Sequence, residues 1–288
     1  MNIIWGSCYT VMKWGFDYFS PMHLLFLRMS VGFLVMLVFS FRYLKFLDRR
    51  VLIRGACLGA IIAVSHGLSF IGIYKSFATD AGILYAIEPI AAIVVARIML
   101  KEKMDKWCFL ALVLALTGFS ILSDISLNNF LSNKVFLGNL LILIGVLADG
   151  FYSPVAKPIA EKYPARLILT TGLFFTTVII FPFALISPVK SFTITWQGMF
   201  SIFYLSILCT CCGWTLWLYF LGRFPVNVVA LTVFIQPVVG AFVPHFTIGE
   251  QISPRIWFGG SIILIGVFIA VFKRKKTKED LLSEGVLH

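Results

Sequence analysis

Residues 84–103, LYAIEPIAAIVVARIMLKEK, have a counterpart in residues 231–251, LTVFIQPVVGAFVPHFTIGEQ. Pro89 matches Pro237, Glu102 matches Glu250 and, further on, Gly118 matches Gly266, all at one constant offset without a gap. Lys75 and Arg223 keep that offset, and Glu88 aligns with Gln236. The identities are sparse, but they fall on residue types that set kinks, loop ends and close helix contacts. Self-similarity of this kind marks two copies of one structural unit.

The rest of the chain says which solvent that unit lives in. It is 60% hydrophobic and 13% charged, with a mean hydropathy of +0.96, whereas a soluble domain carries about 25% charged residues. A hydrocarbon core of about 30 Å takes roughly 20 apolar residues per helix. Apolar runs between charged or turn-rich breaks predict ten spans, near 1–17, 20–41, 52–75, 78–99, 104–123, 135–158, 165–187, 196–221, 225–247 and 253–272. The expected fold is an all-α integral membrane protein of ten transmembrane helices. Five spans per copy is an odd number, so the second copy must insert upside down relative to the first. Two inverted five-helix repeats, residues 1–123 and 135–272, would then surround a central cavity, with 273–288 as a basic cytoplasmic tail. Inverted repeats with a midplane binding site are common among secondary transporters.

The formal charge of +11 would suit a nucleic-acid binder only if it lay on one basic face. Here Lys and Arg sit between apolar runs, and no nucleic-acid partner is expected. They read instead as orientation signals. With both termini inside, Arg42, Lys45, Arg49, Arg50, Arg54, Lys101, Lys103, Lys106, Lys157, Lys162, Arg223 and the cluster from Lys273 face the cytoplasm. Lys75, Lys134, Lys190 and Arg255 face out. Cys209 to Cys212 formally contains CxxC, but it lies in an apolar run with no second CxxC or spaced His pair, so no metal and no cofactor is expected. Met1 to Phe16 has no basic n-region and is not read as a signal peptide. It is also short for a span, as expected if the natural start lies a few residues upstream.

Several features now resemble the EamA-like branch of the drug/metabolite transporter superfamily. These are Trp5-Gly6-Ser7 with Lys13, Ser20-Pro21 before Leu27-Arg28, Glu88-Pro89 followed by Leu100-Lys101-Glu102, and Gln236-Pro237 followed by Ile248-Gly249-Glu250. The resemblance runs over nearly the whole chain, and its weight comes from order and spacing in two copies. It implies ten helices in two inverted halves, with a cavity lined mainly by the first, third, fourth, sixth, eighth and ninth. Two positions depart from the family pattern: Lys101 replaces the usual Gly before Glu102, and Asp149 stands where the second copy would match Trp5.

An ionised side chain at mid-bilayer costs about 2.5 to 3.5 kcal/mol on insertion scales, so each needs a partner or a wet cavity. Lys13, Arg28, Glu88 and Asp149 are therefore the first candidates. Glu88 beside Pro89 suits solute contact on a kinked helix, or a permanent pair with Lys13 or Arg28. Asp149, ahead of Gly150 and Pro154, is expected to face the cavity, with a contact to Ser153 or another helix as the alternative. Lys13 could hold a substrate carboxylate or snorkel to water. Arg28 is expected to hold the bundle, His66 to act in packing or a proton path. Tyr85, Tyr152 and Trp214 are the aromatic candidates for a flat or cationic solute. Gln236, Pro89 and Pro237 complete the set by repeat correspondence.

No phosphate-binding loop is present, so ATP coupling by that means is excluded. The function expected is secondary transport of a small polar metabolite, an amino acid or a relative, across the inner membrane by alternating access, with protons as the candidate coupling ion. The protein would work as a monomer or homodimer. The alternative is an intramembrane enzyme acting on a lipid-linked substrate, which would need a catalytic cluster of acids, His or a nucleophile at the interface.

Overall fold

The computed structural model describes residues 1–76, 81, 84–122, 136–189, 195–236, 238–239 and 254–272. Expectations for Pro237, Glu250 and the tail from Lys273 lie outside these residues. In chain order the helices are α1 (Asn2–Tyr18), α2 (Pro21–Ser40), α3 (Arg49–Lys75), α4 (Glu88–Met99), α5 (Lys106–Leu122), α6 (Phe136–Asp149), α7 (Tyr152–Ala160), α8 (Ala165–Leu185), α9 (Trp196–Phe203), α10 (Thr215–Leu221), α11 (Val226–Leu231) and α12 (Pro254–Phe272). Among the described residues five helical stretches are long and apolar enough to cross a bilayer: Pro21–Phe46, Arg49–Lys75, Phe136–Ala160, Ala165–Leu185 and Trp196–Leu221. Val38, Ile98, Phe181 and Phe258 are exposed on the outside of the bundle. An apolar exterior of that kind suits hydrocarbon, where it costs nothing to leave uncovered.

Helices in lipid gain little from burying apolar surface against each other, so close approach and dispersion contacts hold them together. Gly118 of α5 shows the geometry: a Cβ there would lie 2.6 Å from the carbonyl oxygen of Gly259 on α12. Across the same contact, a Cβ at Gly266 would lie 2.9 Å from the carbonyl oxygen of Ala111. The offset that aligns Gly118 with Gly266 also aligns Ala111 with Gly259, so the two contacts are reciprocal. A second reciprocal pair joins the halves elsewhere. A Cβ at Gly6 would lie 3.0 Å from Cβ of Val239, and one at its counterpart Gly150 would lie 2.6 Å from Cβ of Ala91. Val239 and Ala91 are themselves equivalent in the repeat.

Two predicted spans each carry a short turn between α-helical segments. The chain turns at Ala86 and Ile87, and Pro89 sits in the first turn of α4. There its missing N–H leaves no ladder bond unmade, so the proline starts a helix instead of bending one. Likewise α6 stops at Asp149 and α7 starts at Tyr152. A third irregularity is the wide i→i+5 winding over Tyr204–Trp214, between α9 and α10. Such segments are rare and concentrate at functional sites.

Loop ends are tied across the bundle. Asp48 caps α3 by accepting from the Val51 N–H at 2.8 Å, and it also accepts the Tyr163 hydroxyl. The Tyr163 bond, then that of Val51, holds the Asp48 carboxyl below its usual range. Glu102 accepts from the N–H groups of Val226 at 3.0 Å and Asn227 at 3.4 Å. Lys101, where the family pattern has Gly, stands at a φ of 55°, the left-handed region in which only glycine is free of a side-chain penalty.

Candidate functional site

A cavity at the centre of the bundle offers about 70 Å³ to the centres of water molecules. It is walled by α1, α3, the chain on either side of the α4 start, the α6–α7 break, the wide-wound segment with α10, and Gln236. These correspond to the six helices expected from the resemblance, with Arg28 added from α2.

Both cavity acids lie at helix breaks: Glu88 is the first residue of α4 and Asp149 the last of α6. Asp149 Oδ1 accepts from the Ser65 hydroxyl of α3 at 3.1 Å. The partner is thus Ser65 rather than Ser153, whose hydroxyl takes the Trp217 indole N–H at 3.0 Å. Arg28 is buried, 4% exposed, and two of its five N–H donors are directed at protein groups. Nε donates to Thr210 Oγ1 at 2.8 Å, Nη1 lies 4.0 Å from Cys8 Sγ, and the guanidinium sits 5.8 Å from the Phe70 ring centroid. Among the described residues the ion pair is Lys157–Glu161, at 2.7 Å. Glu88 therefore forms no clamp with Arg28 or Lys13.

Lys13 stands outside the cavity lining, and its ammonium goes to the carbonyl oxygen of Ser76 at the end of α3. A lysine aligned with the last turn of a helix meets carbonyls that have no intrahelical donor. Its repeat counterpart Lys157 makes the equivalent bond, to the carbonyl oxygen of Leu221 at the end of α10, at 2.9 Å. Pro89 is buried behind Glu88.

Aromatic rings make up much of the wall. Tyr152 stacks on Trp214 at 5.7 Å, and the His66 ring lies 5.2 Å from the same indole. Tyr9 and Tyr85 are 5.2 Å apart, Trp5 and Trp217 5.5 Å. The Trp5 N–H donates to the Cys209 carbonyl at 2.9 Å, and Gly213 leaves the space the indole occupies, since a Cβ there would lie 2.6 Å from Trp5 Nε1. Gln236 joins α1 through Tyr9, which donates to its Oε1 at 3.4 Å, and through Asn2.

Tyr85, Glu88, Asp149, Tyr152, Trp214 and Gln236, the solute candidates from sequence, line the cavity, as do Arg28 and His66, expected to support the bundle or couple; Cys8, Tyr9, Met12, Phe70 and Trp217 join them from the structure. The signal for the α1 group was present: Trp5, Cys8, Tyr9 and Met12 recur at the spacing of one helix face. Trp217 is buried inside the bundle, 3% exposed.

The comparisons with known proteins give the family. Residues 1–124 and 136–272 each match the model of the EamA-like transporter family. An uncharacterized transporter of Archaeoglobus fulgidus is 22% identical over 273 residues, 94% of this chain and 95% of the relative. The uncharacterized transporter YoaV of Bacillus subtilis is 24% identical, covering 96% of both chains. A probable amino-acid metabolite efflux pump of Salmonella typhimurium is 23% identical over 94% of this chain and 92% of its own. A solved crystal structure superposes with a TM-score of 0.78 at 13% identity, covering 100% of this chain and 96% of the other, which shows a shared fold. The family consists of transporters, which overturns the alternative of an intramembrane enzyme. With both copies matched, and with long apolar helices around a polar centre, this chain belongs to the EamA-like transporter family and is a multi-pass membrane protein.

Proposed function

We propose that the protein is a secondary transporter that moves a small polar metabolite, an amino acid or a relative, across the inner membrane by alternating access. The observation that carries this reading is the cavity itself, where Glu88 and Asp149 meet at two helix breaks amid aromatic side chains. Interrupted helices at cavity depth are the usual setting of transporter sites, because irregular backbone is tolerated in a membrane only where it lines a wet space. The printed name of the Salmonella relative, an amino-acid metabolite efflux pump, points to the same solute class.

In this reading ten helices form two inverted halves, 1–123 and 135–272, with both termini and the tail 273–288 in the cytoplasm. The reciprocal contacts of Gly118 with Gly266, and of Gly6 with Gly150, support that arrangement, because a two-fold axis in the membrane plane makes contact pairs self-matching. The functional set is Tyr85, Glu88, Asp149, Tyr152, Trp214 and Gln236 for the solute, and Arg28, His66, Pro89 and Pro237 for support or coupling. Lys13 acts on the solute only in a state that releases Ser76.

Counterflow of labelled amino acids and related amines in proteoliposomes, with and without a pH gradient, tests the proposal. Saturable exchange of at least one solute is expected. Absence of flux across a broad panel, from protein that remains folded, would refute it.

A further inference from the structure

The repeat allows the two walls of the cavity to be compared position by position. Asp149 in one copy is Trp5 in the other, and Glu88 is Gln236. In both pairs one member carries an ionisable carboxyl group and the other does not. The charged members lie together. Ser65 of α3 holds Asp149 at 3.1 Å, and Gly150, next in sequence, packs on Ala91, three residues on from Glu88, where a Cβ would lie 2.6 Å from Cβ of Ala91. Their neutral counterparts lie together too, with Trp5 bonded to the Cys209 carbonyl and backed by Trp217 at 5.5 Å. The cavity thus carries its two acids together, with aromatic rings around them and the Trp5–Trp217 pair beside the uncharged counterparts.

The charge count on this site is uneven. Two carboxylates face one guanidinium, and Arg28 is already held by Thr210 at 2.8 Å with Cys8 at 4.0 Å. Neither acid forms an ion pair among the described residues. Among the described residues no hydrogen bond to the Glu88 carboxylate is found, an expensive condition for a group this deep in a membrane protein.

We infer that the solute is a primary amine with a single positive charge and an aromatic or otherwise apolar body, its ammonium seated between Glu88 and Asp149 and its body against Trp5 and Trp217. This deepens, and rests on, the transport reading above. An ammonium has three donors and no acceptor, so it can serve both carboxylates at once, and the ring faces around it add cation–π attraction. A carboxylate on the same molecule restores the excess negative charge. Arg28, the guanidinium on the lining that could meet it, already turns Nε to Thr210 and Nη1 toward Cys8. The site therefore ranks an amine above the zwitterionic amino acid of the same body, and both above the corresponding acid.

Four probes of one shape test this with the purified full chain in detergent at neutral pH: 2-phenylethylamine, L-phenylalanine, 3-phenylpropionate and the uncharged 3-phenylpropanol, each titrated by calorimetry. The amine is expected to bind about tenfold or more tightly than phenylalanine, a difference of about 1.4 kcal/mol or more, with no detectable binding of the acid. Asp149→Asn is expected to remove most of that preference, and Asp149→Glu to retain it. Phenylalanine binding as tightly as the amine overturns the inference and leaves metabolite transport standing, as does unchanged amine affinity in Asp149→Asn. Failure of all four to bind also overturns it, and counterflow of other solutes then tells whether the transport reading survives. The ranking on the unsubstituted protein decides the matter even where a variant does not fold.

Discussion

Replacing Gly150 by alanine tests whether the α4 contact positions the two acids. The new Cβ would lie 2.6 Å from Cβ of Ala91, 3.1 Å from its carbonyl carbon and 3.2 Å from the Ala92 nitrogen. Non-bonded carbons settle at about 3.5–4.0 Å, so α4 must retreat by roughly 1 Å. Two of the three obstacles are backbone atoms that no rotamer change can move, which places the cost toward the upper end of the usual overpacking range of about 1–3 kcal/mol. Gly6→Ala meets the Gln236 carbonyl oxygen at 2.9 Å and Val239 Cβ at 3.0 Å. That clash is milder, and a cost of about 1–2 kcal/mol is expected. Gly67 on α3 is the control, because the nearest atom to its Cβ would be Ile180 Cδ1 at 3.9 Å. There alanine only removes the helix-interior penalty of glycine, a gain of about 0.5–1 kcal/mol. Thermal midpoints of the three variants in one detergent should fall strongly, fall moderately and rise. Retreat of α4 also carries Glu88 away from Asp149, so Gly150→Ala should lose transport where Gly67→Ala keeps it. If Gly150→Ala and Gly67→Ala shift the midpoint in the same direction, the packing argument is wrong.

Glu88→Gln and Asp149→Asn should lower transport in proteoliposomes far more than Lys157→Gln, since Lys157 lies outside the cavity; equal rates in all three would remove the acids from the mechanism. Lys101→Gly should raise stability by up to about 1 kcal/mol, because it relieves a left-handed backbone, and an unchanged or lower midpoint would show that the strain is offset locally. Asp48 is held ionised by Tyr163 and Val51, with its folded-state pKa below the unfolded value. Its contribution is therefore present above the unfolded pKa and disappears as pH falls through the folded one. The stability difference between the parent protein and Asp48→Asn should accordingly be seen at neutral pH and vanish in strong acid; a constant difference across that range would show that Asp48 acts through shape rather than charge.

Solvent, helix content and the doubling of the unit are all local properties, and each was legible in the chain. Long apolar runs require lipid, the matched Pro89 and Pro237 mark the repeat, and mid-span Glu88 and Asp149 stand out because an acid in hydrocarbon is costly. Helix interruption was less legible. A proline in an apolar run reads as a kink, and only the turn at Ala86 and Ile87 shows that α4 starts afresh at Glu88. Tertiary packing alone decided which charges meet. Lys13 and Arg28 both looked like partners for Glu88, yet Lys13 caps the end of α3 and Arg28 reaches Thr210 on a segment far away in sequence. Which cation an acid finds depends on how helices rotate and how closely small residues let them approach. Those quantities are set jointly by all the neighbours of a helix, so no single stretch of the chain contains them.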